Sequence, residues 1–434
     1  MVLSNLANYN LLNRLKALQS SIRVAIVGIG SMGKGLFYQC QITPGIECVA
    51  MADIKVERAI NSAVWMKRDY RVVDNLGAME ETIRKGAIAI CEDGDLAAKC
   101  ELVDVLIESS NSIGAAGQFS VTALEHGKHL VLMNAEADLI FGPYLMDLAQ
   151  SNGSIYTSCD GDQYGVIKHL IDDLQLWGFE LVMAGNIKGF LDRYSNPTKI
   201  IPEADKRNLD YHMATAYTDG TKLCIEMALV SNASGLATLV LGMQGPRASH
   251  VRDVFHLFDF DRLWQDKQPF VDYILGAEPG GGVFAVGYCD DDYQKSMLSY
   301  YKMGEGPFYL FYRPYHLCHI EAMACLAKAF LDRDSLLQPI YGFRTNVYAY
   351  AKRDLRQGEK LDGIGGYTCY GLIENLTHGT DHPGLPICLT EEVTLKRNVS
   401  RDEKIFFSDI QYDPDRLDFV LYDESVKSSM ARRP

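Results

Sequence analysis

The chain has 434 residues, of which 47% are apolar and 23% charged, and 42 Lys and Arg against 56 Asp and Glu give a formal charge of −14. Such proportions belong to a globular protein and exclude disordered, collagen-like and coiled-coil chains. The acidic balance makes nucleic acid or an anionic membrane a poor partner, so an anionic substrate requires basic residues gathered locally. At about 150 residues per domain the length predicts about three domains, large enough to bury a core without disulfide or metal staples. The 11 cysteines form no CxxC pair and fall mostly in apolar runs, as at Cys91, Cys224, Cys318 and Cys325. That pattern points to reduced, buried thiols and a cytoplasmic setting. No apolar run approaches the ~18 residues of a membrane span.

Leu3, Leu6, Leu11, Leu12, Leu15 and Leu18 recur at helical spacing and predict an amphipathic helix packed on the body of the protein or on a second subunit. Without a basic start, a continuous apolar stretch or a small-residue cleavage site, this segment does not read as a signal peptide. Residues 22–28, IRVAIVG, are a β-branched run ending in glycine and predict a buried parallel strand. SMGKGLFYQCQI then reads as a helix. The pattern continues with a strand at 46–53, a helix at 58–71, a strand at 87–91, a short helical piece at 95–99 and a strand at 102–107. A helix at 114–126, a strand at 128–133, a helix at 142–151 and a strand at 154–158 follow. Strands alternating with helices at this spacing predict an α/β domain over 1–158 built on a doubly wound parallel sheet. Beyond it, strand-like stretches at 180–185, 211–218 and 221–230 and the turns GPRAS at 245–249 and AEPGGG at 277–282 predict an α+β domain over 159–314 on an antiparallel sheet. Residues 315–330 read as an apolar helix. TNVYAYA at 345–351 and the glycine-rich 363–371 predict small, irregular β structure over 339–434, with a frayed tail from Met430.

The turn between the first strand and the first helix reads Gly28-Ile-Gly30-Ser31-Met32-Gly33, the GxGxxG fingerprint in the strand–turn–helix context it requires. Gly28 permits a tight turn, Gly30 lets the backbone approach a pyrophosphate, and Gly33 lets helix and strand pack closely. The helix N-terminus at Ser31 and Met32 supplies amide donors and a positive dipole end. Asp53 ends the second strand, 20 residues beyond Gly33, where an acid accepts hydrogen bonds from the adenosine ribose hydroxyls. Its charge repels a 2′-phosphate by about 4 kcal/mol at about 4 Å and an effective dielectric of about 20, before screening. NAD is therefore favoured over NADP, with Lys55 and Arg58 near enough to soften the preference. A later strand ends in Glu108-Ser109-Ser110-Asn111-Ser112, where Ser109 and Ser110 either line the nicotinamide ribose or cap the next helix. Another ends in Asn134-Ala-Glu136-Ala-Asp138. Two carboxylates and an amide there orient a hydroxylated substrate, hold a divalent metal, or satisfy turn and cap amides.

Basic residues gather further along: Lys188, Lys206, Arg207, Lys222 beside Asp219, Arg247, and Arg313 with His316 in RPYH. Arginine binds phosphate bidentately and lysine as a point charge, so Arg247 and Arg313 are substrate-binding candidates and Lys188, Lys222 and His316 candidates for proton transfer. His316, Cys318 and His319 lack the i, i+4 spacing of a helical zinc site, and His378 and His382 lie in a glycine- and proline-rich loop. No catalytic serine elbow or phosphate-binding P-loop occurs.

GKHLVLMNAEADLIFGPYL at 127–145, EADKRN at 203–208, DGTKLCIEMA at 219–228 and NASGL at 232–236 are the first of a series of ordered blocks. GMQGPRAS at 242–249, GEGPFYLFYRPYHL at 304–317 and AKRDLRQGEKLDGIGGY at 351–367 complete it. With these blocks residues 20–420 resemble the homoserine dehydrogenase-like oxidoreductases that carry a C-terminal SAF domain, in particular the 1-deoxy-D-xylulose 5-phosphate reductoisomerase-like enzymes. The resemblance implies a Rossmann domain, a substrate and dimerisation domain, a small β-rich SAF-like domain, and a helix after RPYH that packs back on the Rossmann side. It implies an NAD(P)-dependent oxidoreductase, acting as a homodimer or higher homo-oligomer on a small polar, sugar-like substrate, phosphorylated or not. The alternatives are the isomeroreductase itself, which uses NADPH and a divalent metal, and a non-catalytic NAD-binding sensor. Asp53, Asn186-Ile-Lys188-Gly189 and CDGDQYG at 159–165 depart from the reductoisomerase-like pattern at the cofactor and substrate positions.

Overall fold

The structure is a computed structural model and describes residues 10–207, 209–376 and 383–432. Leu3, Leu6, His378 and His382 lie outside these residues. Contacts divide the chain into two compact units. The first comprises residues 1–162, 317–338 and 420–428, and the second residues 163–316, 339–419 and 429–434.

The first unit begins with a short helix, α1 (Leu11–Lys16), in which Leu15 is buried while Leu11 and Leu18 pack against the core. Seven strands then alternate with helices: β1 (Ile22–Val27), α2 (Ser31–Ile42), β2 (Ile46–Ala52), α3 (Val56–Trp65), β3 (Tyr70–Val72), α4 (Leu76–Arg84) and β4 (Ile88–Cys91). They continue through α5 (Gly94–Lys99), β5 (Val105–Glu108), α6 (Ile113–Glu125), β6 (His129–Leu132), α7 (Ala135–Ser151) and β7 (Tyr156–Ser158). Every strand pair is parallel and the order is β3-β4-β2-β1-β5-β6-β7. This is the doubly wound Rossmann sheet, and the crevice where its winding reverses lies at the carboxyl ends of β1 and β5. Val24 and Ile26 of β1, Met51 of β2 and Ile107 of β5 pack with Leu36, Phe37 and Cys40 of α2 into one apolar core. A later helix, α15 (Cys318–Leu331), adds Ala322, Met323 and Leu326 to that core.

Local departures from the predicted elements have local causes. The helix predicted over 58–71 stops at Trp65, Lys67 turns left-handed at φ 54°, and Tyr70–Val72 joins the sheet edge beside β4. The helix α4 was not predicted. The strand predicted at 102–107 begins at Val105, and Asp104 just before it takes the Arg23 guanidinium at 2.7 Å. The helix predicted at 142–151 starts seven residues earlier, capped by Asn134, and carries Pro143 inside it. Its residues 135–143 are all buried, so no polar face marks its first turns.

The second unit contains α8 (Gln163–Leu176), β8 (Glu180–Lys188), α9 (Ile201–Arg207), α10 (Tyr211–Asp219), α11 (Thr221–Ser234) and β9 (Ala237–Thr238). It continues with α12 (Val254–Leu257), α13 (Phe260–Leu263), β10 (Phe270–Leu275), β11 (Val283–Tyr288), α14 (Asp292–Tyr300) and β12 (Phe308–Arg313). The stretches 211–218 and 221–230, predicted as strands, are the helices α10 and α11. Asp210 caps α10 through the Met213 amide at 3.0 Å. Residues 221–233 of α11 are buried without exception, which removes the 3.6-residue periodicity that identifies a helix. The sheet is mixed, not antiparallel: its order is β12-β11-β8-β10-β9, with β8, β10 and β9 parallel and β11 antiparallel to both neighbours. Phe258, Phe260, Trp264, Phe270 and Phe284 form its aromatic core.

The same unit holds β13 (Thr345–Ala351) paired with β14 (Cys369–Asn375), and β15 (Thr394–Leu395) paired with β16 (Ile410–Gln411). Of the tail predicted to fray from Met430, Met430 and Ala431 end a helix, α16 (Leu417–Ala431), and residues 433–434 lie outside the described residues. All 11 cysteines are free, and all but Cys318 are buried. No helix among the described residues is long and apolar enough to cross a membrane.

Asn232 of α11 organises the entry into β13, its Oδ1 accepting the amides of Arg344 at 2.8 Å and Thr345 at 2.9 Å. Asn232→Ala leaves the buried Thr345 amide without its acceptor and is expected to cost about 1–3 kcal/mol. Urea denaturation checks this, and an unchanged midpoint would contradict it.

Candidate active site

In the first unit, β1 and β5 run in register so that Val27 lies beside Glu108. The chain leaves β1 through Gly28 at φ +85°, and a Cβ on Gly28 would lie 2.5 Å from the Ser110 amide nitrogen. A Cβ on Gly33 would lie 1.9 Å from the Gly28 carbonyl oxygen. Only glycine fits either position. Gly30 is different: a Cβ there meets nothing within 4 Å, and no side chain caps the α2 N-terminus that Gly30 begins. The amides of the first turn, at Ser31, Met32 and Gly33, thus open onto clear space. Open space above an uncapped helix N-terminus fits a pyrophosphate.

Asp53 is buried, and its carboxylate ties this loop to the end of β2. One oxygen accepts the Ile29 amide and the other the Lys55 amide, both at 2.7 Å, with the Arg58 guanidinium 3.9 Å away. Each carboxylate oxygen keeps a second lone pair for a ribose hydroxyl.

The polar residues after β5 and β6 brace the same loops. Ser109 Oγ lies 2.8 Å from the Gly28 carbonyl oxygen and 3.0 Å from that of Val27, so this serine fixes the glycine turn. Asn134 Oδ1 accepts the Ala137 amide at 3.0 Å, and its Nδ2 donates to the Ser110 carbonyl at 3.0 Å. Asn134 is the N-cap of α7, and Glu136 and Asp138 are buried in its first turn, where acids suit the helix dipole. Asp138 accepts the Tyr156 hydroxyl. Glu108 was not among the candidates. It is fully buried, its Oε1 accepts the Ser110 amide at 2.9 Å, and burial pushes its carboxyl up to about 8. Its sequence signal is an acid ending a strand that is otherwise wholly apolar.

In the second unit, the end of β8 meets the AEPGGG turn. The Lys188 carbonyl accepts the Gly276 amide at 2.7 Å, and the Ile187 carbonyl accepts the Gly281 amide at 3.0 Å. The Gly281 carbonyl in turn holds His316 Nδ1 at 2.7 Å, which makes Nδ1 the donor and Nε2 the basic nitrogen. Arg313 is paired with Val283 on the neighbouring strand, and its guanidinium stacks 4.6 Å over the Tyr315 ring. Lys188, Arg313 and His316 therefore share one end of the mixed sheet. Lys222 is buried in the first turn of α11.

Asp219 is buried and ion-paired with Lys352 Nζ at 2.8 Å, and Lys352 also donates to the Gly366 carbonyl at 2.7 Å. Burial still holds the Asp219 carboxyl above its usual range, against the pull of the lysine. Arg247 is exposed and lines a cavity of about 440 Å³ with Ser249, Asp253, His256 and Leu275. Asp272 shapes that loop: its carboxylate accepts the amides of Gln244, Gly245 and Tyr273 at 2.8 to 3.1 Å, and burial pushes it up to about 6. Lys206 pairs with Glu203 on an exposed surface.

Residues 161–322 match the family described as oxidoreductase DRL, catalytic domain. The match runs from just before α8 into α15 and covers less than half of the chain. The solved structures that the chain resembles include a DOX-P reductoisomerase in complex with magnesium, at 16% identity over 48% of this chain and 56% of that one, with a TM-score of 0.34. Others are 1-deoxy-D-xylulose 5-phosphate reductoisomerase from Zymomonas mobilis in complex with NADPH, at 15% identity, 48% and 57% coverage and a TM-score of 0.33. Scyllo-inositol dehydrogenase from Lactobacillus casei with bound NAD(H) and scyllo-inositol gives 14%, 62% and 66%, and 0.31. The chain spans about half the length of the reductoisomerases it matches. A comparison with curated proteins gives no match.

The Asp219–Lys352 pair makes a direct prediction. Asp219→Ala strands a buried lysine and is expected to cost about 3–5 kcal/mol, whereas Asp219→Ala with Lys352→Met recovers part of that loss. Equilibrium denaturation of both variants checks it, and equal losses would contradict it.

Proposed function

We propose that this chain is an NAD-dependent oxidoreductase that moves a hydride between the nicotinamide and a carbonyl or hydroxyl of a small polar, sugar-like substrate. The observation that carries this reading is the Gly28–Gly33 loop, with clear space at Gly30, an uncapped helix N-terminus and Asp53 bound to the Ile29 amide. The family match over 161–322 supports the oxidoreductase class. When bound, the cofactor supplies hydride acceptance and donation. Gly30, Ser31, Met32 and Gly33 would hold its pyrophosphate, and Asp53 its adenosine ribose.

His316 Nε2 would exchange a proton with a substrate hydroxyl, a role supported by the Gly281 carbonyl, which fixes the ring's tautomer. Lys188 and Arg313 at the same sheet end would hold an anionic or carbonyl group of the substrate. Lys222, desolvated in α11, is the second proton-transfer candidate. Arg247 would serve a phosphate where the substrate carries one. The sequence blocks shared with the SAF-containing oxidoreductases support a homodimer or higher homo-oligomer with residues 339–434 as a third, SAF-like module, and the free, mostly buried cysteines support a cytoplasmic setting.

Titration with both nicotinamide cofactors checks the cofactor assignment. NAD is expected to bind more tightly than NADP, and Gly30→Val to weaken NAD binding by about 100-fold without lowering the melting temperature; tighter NADP binding would overturn the Asp53 argument. Lys222→Met is expected to lower kcat by about 100-fold, the scale of one lost proton-transfer group. Unchanged turnover in a folded variant would remove Lys222 from the machinery.

A further inference from the structure

Glu108 ends β5 at the switch point of the parallel sheet, beside Val27 and one residue away in register from Gly28. Its side chain is completely buried. Oε1 accepts the Ser110 amide at 2.9 Å, while Oε2 has no hydrogen-bond partner among the described residues. The groups around it are poor company for a negative charge. β1 contributes Val27 and β6 contributes Leu132, both apolar. The α7 terminus contributes the Asn134 amide and the acid Glu136, and Asp138 in the same turn is bound to Tyr156. Asp53, the acid just after β2, accepts the Ile29 and Lys55 amides. A buried carboxylate with one oxygen unpartnered and no cation beside it is costly in such a place, so the group is held as the neutral acid. Burial accounts for most of that effect, and the nearby Glu136 adds to it, against the pull of Ser110 and Asn134.

The same carboxyl touches the loops that shape the cleft. Ser110, held by Glu108, is the residue whose amide nitrogen excludes any side chain at Gly28. The Ser110 carbonyl receives the Asn134 amide, which caps α7. One buried acid thus sits under the β1, β5 and β6 loops at the place where open α/β sheets bind dinucleotides.

We propose that Glu108 is a positioning residue of the cofactor cleft that keeps its proton while the cleft is empty and releases it to solvent when the oxidised nicotinamide cofactor binds. This rests on the NAD reading above. The balance is simple: the neutral acid and NAD⁺ give the carboxylate, bound NAD⁺ and one proton in solution. The nicotinamide ring of NAD⁺ brings the positive charge that the site lacks. The ionised carboxylate then accepts the Ser110 amide as a charge-assisted bond and tightens the loop against Gly28. NADH has a neutral ring and leaves the proton in place. The sign follows for affinity: NAD⁺ binding strengthens as the pH rises toward and through 8, because the proton no longer has to leave, and NADH binding does not.

Isothermal calorimetry on the full chain tests this in two buffers of different ionisation enthalpy near pH 7.5. Wild-type protein is expected to release protons on binding NAD⁺ and none on binding NADH. Glu108→Gln, which keeps the acceptor for Ser110 and the side-chain shape, is expected to bind both with no proton release. Between pH 6 and 9 the wild-type affinity for NAD⁺ should rise up to about tenfold, the change that one unit of coupling gives, while Glu108→Gln stays flat. Infrared difference spectra should show loss of a protonated-carboxyl band when NAD⁺ is added to wild type, a readout that does not depend on how well the variant folds. NAD⁺ binding without proton release, or release that persists in Glu108→Gln, would overturn the assignment. Failure of the wild type to bind either nucleotide would overturn the cofactor reading itself, and this inference with it.

Discussion

The first unit depends on two missing Cβ atoms. β1 must turn into α2 within a few residues while the β5 loop passes beneath, and a side chain at Gly28 would overlap the Ser110 backbone. A side chain at Gly33 would overlap the Gly28 carbonyl. With both absent, the helix N-terminus comes to rest beside the ends of β1 and β5 and points its free amides at open space. The hydrogen bonds of Asp53, Ser109, Glu108 and Asn134 then lock the surrounding loops to that turn. Most polar residues at the carboxyl ends of these strands serve the loops before they serve a ligand.

Buried charge is settled in a different way at each place. Asp53 and Asp272 are surrounded by backbone amides, and each organises a loop: the glycine turn and the Gly245–Arg247 turn. Asp219 takes a lysine partner at 2.8 Å. Glu108 has the Ser110 amide on one oxygen, an unpartnered second oxygen and no cation, and burial pushes its carboxyl up to about 8. The first two keep their charge among donors and retain second lone pairs. The third joins an acid to a lysine, so the basic residues of the second unit are not all available to a substrate. The fourth leaves one oxygen of a buried carboxyl without a partner, and that is why it is the place where a positive ligand changes the chemistry.

The legible part of the fold follows from periodicity. β1, α2 and β2 come at their predicted places because a short β-branched run, a glycine turn and a half-buried helix each leave a distinct pattern. The helices α7 and α11 were misread because burial on all sides removes the alternation of polar and apolar positions. In α11 even Lys222 and Glu226 are inside. The site divides along the same line. The glycines and Asp53 were recognisable from spacing, since their roles are fixed within one βαβ unit. Glu108, Asp272 and Lys352 were not, since each matters through a partner or a burial that spacing does not express.

The amino-acid sequence by itself determined the parallel α/β architecture, the cofactor loop and the place of its glycines, because strand, glycine turn, helix and acid leave their pattern at fixed spacing along the chain. It also supplied the basic residues that an anionic substrate would need against a net charge of −14. Only the tertiary structure decided which of those charges remain available. Lys352, 133 positions beyond Asp219 in the chain, neutralises it, and Gly281, 35 positions before His316, sets its tautomer. Such pairings arise from long-range packing, which fixes how much water each charge loses and therefore whether it stays charged, finds a partner or holds its proton.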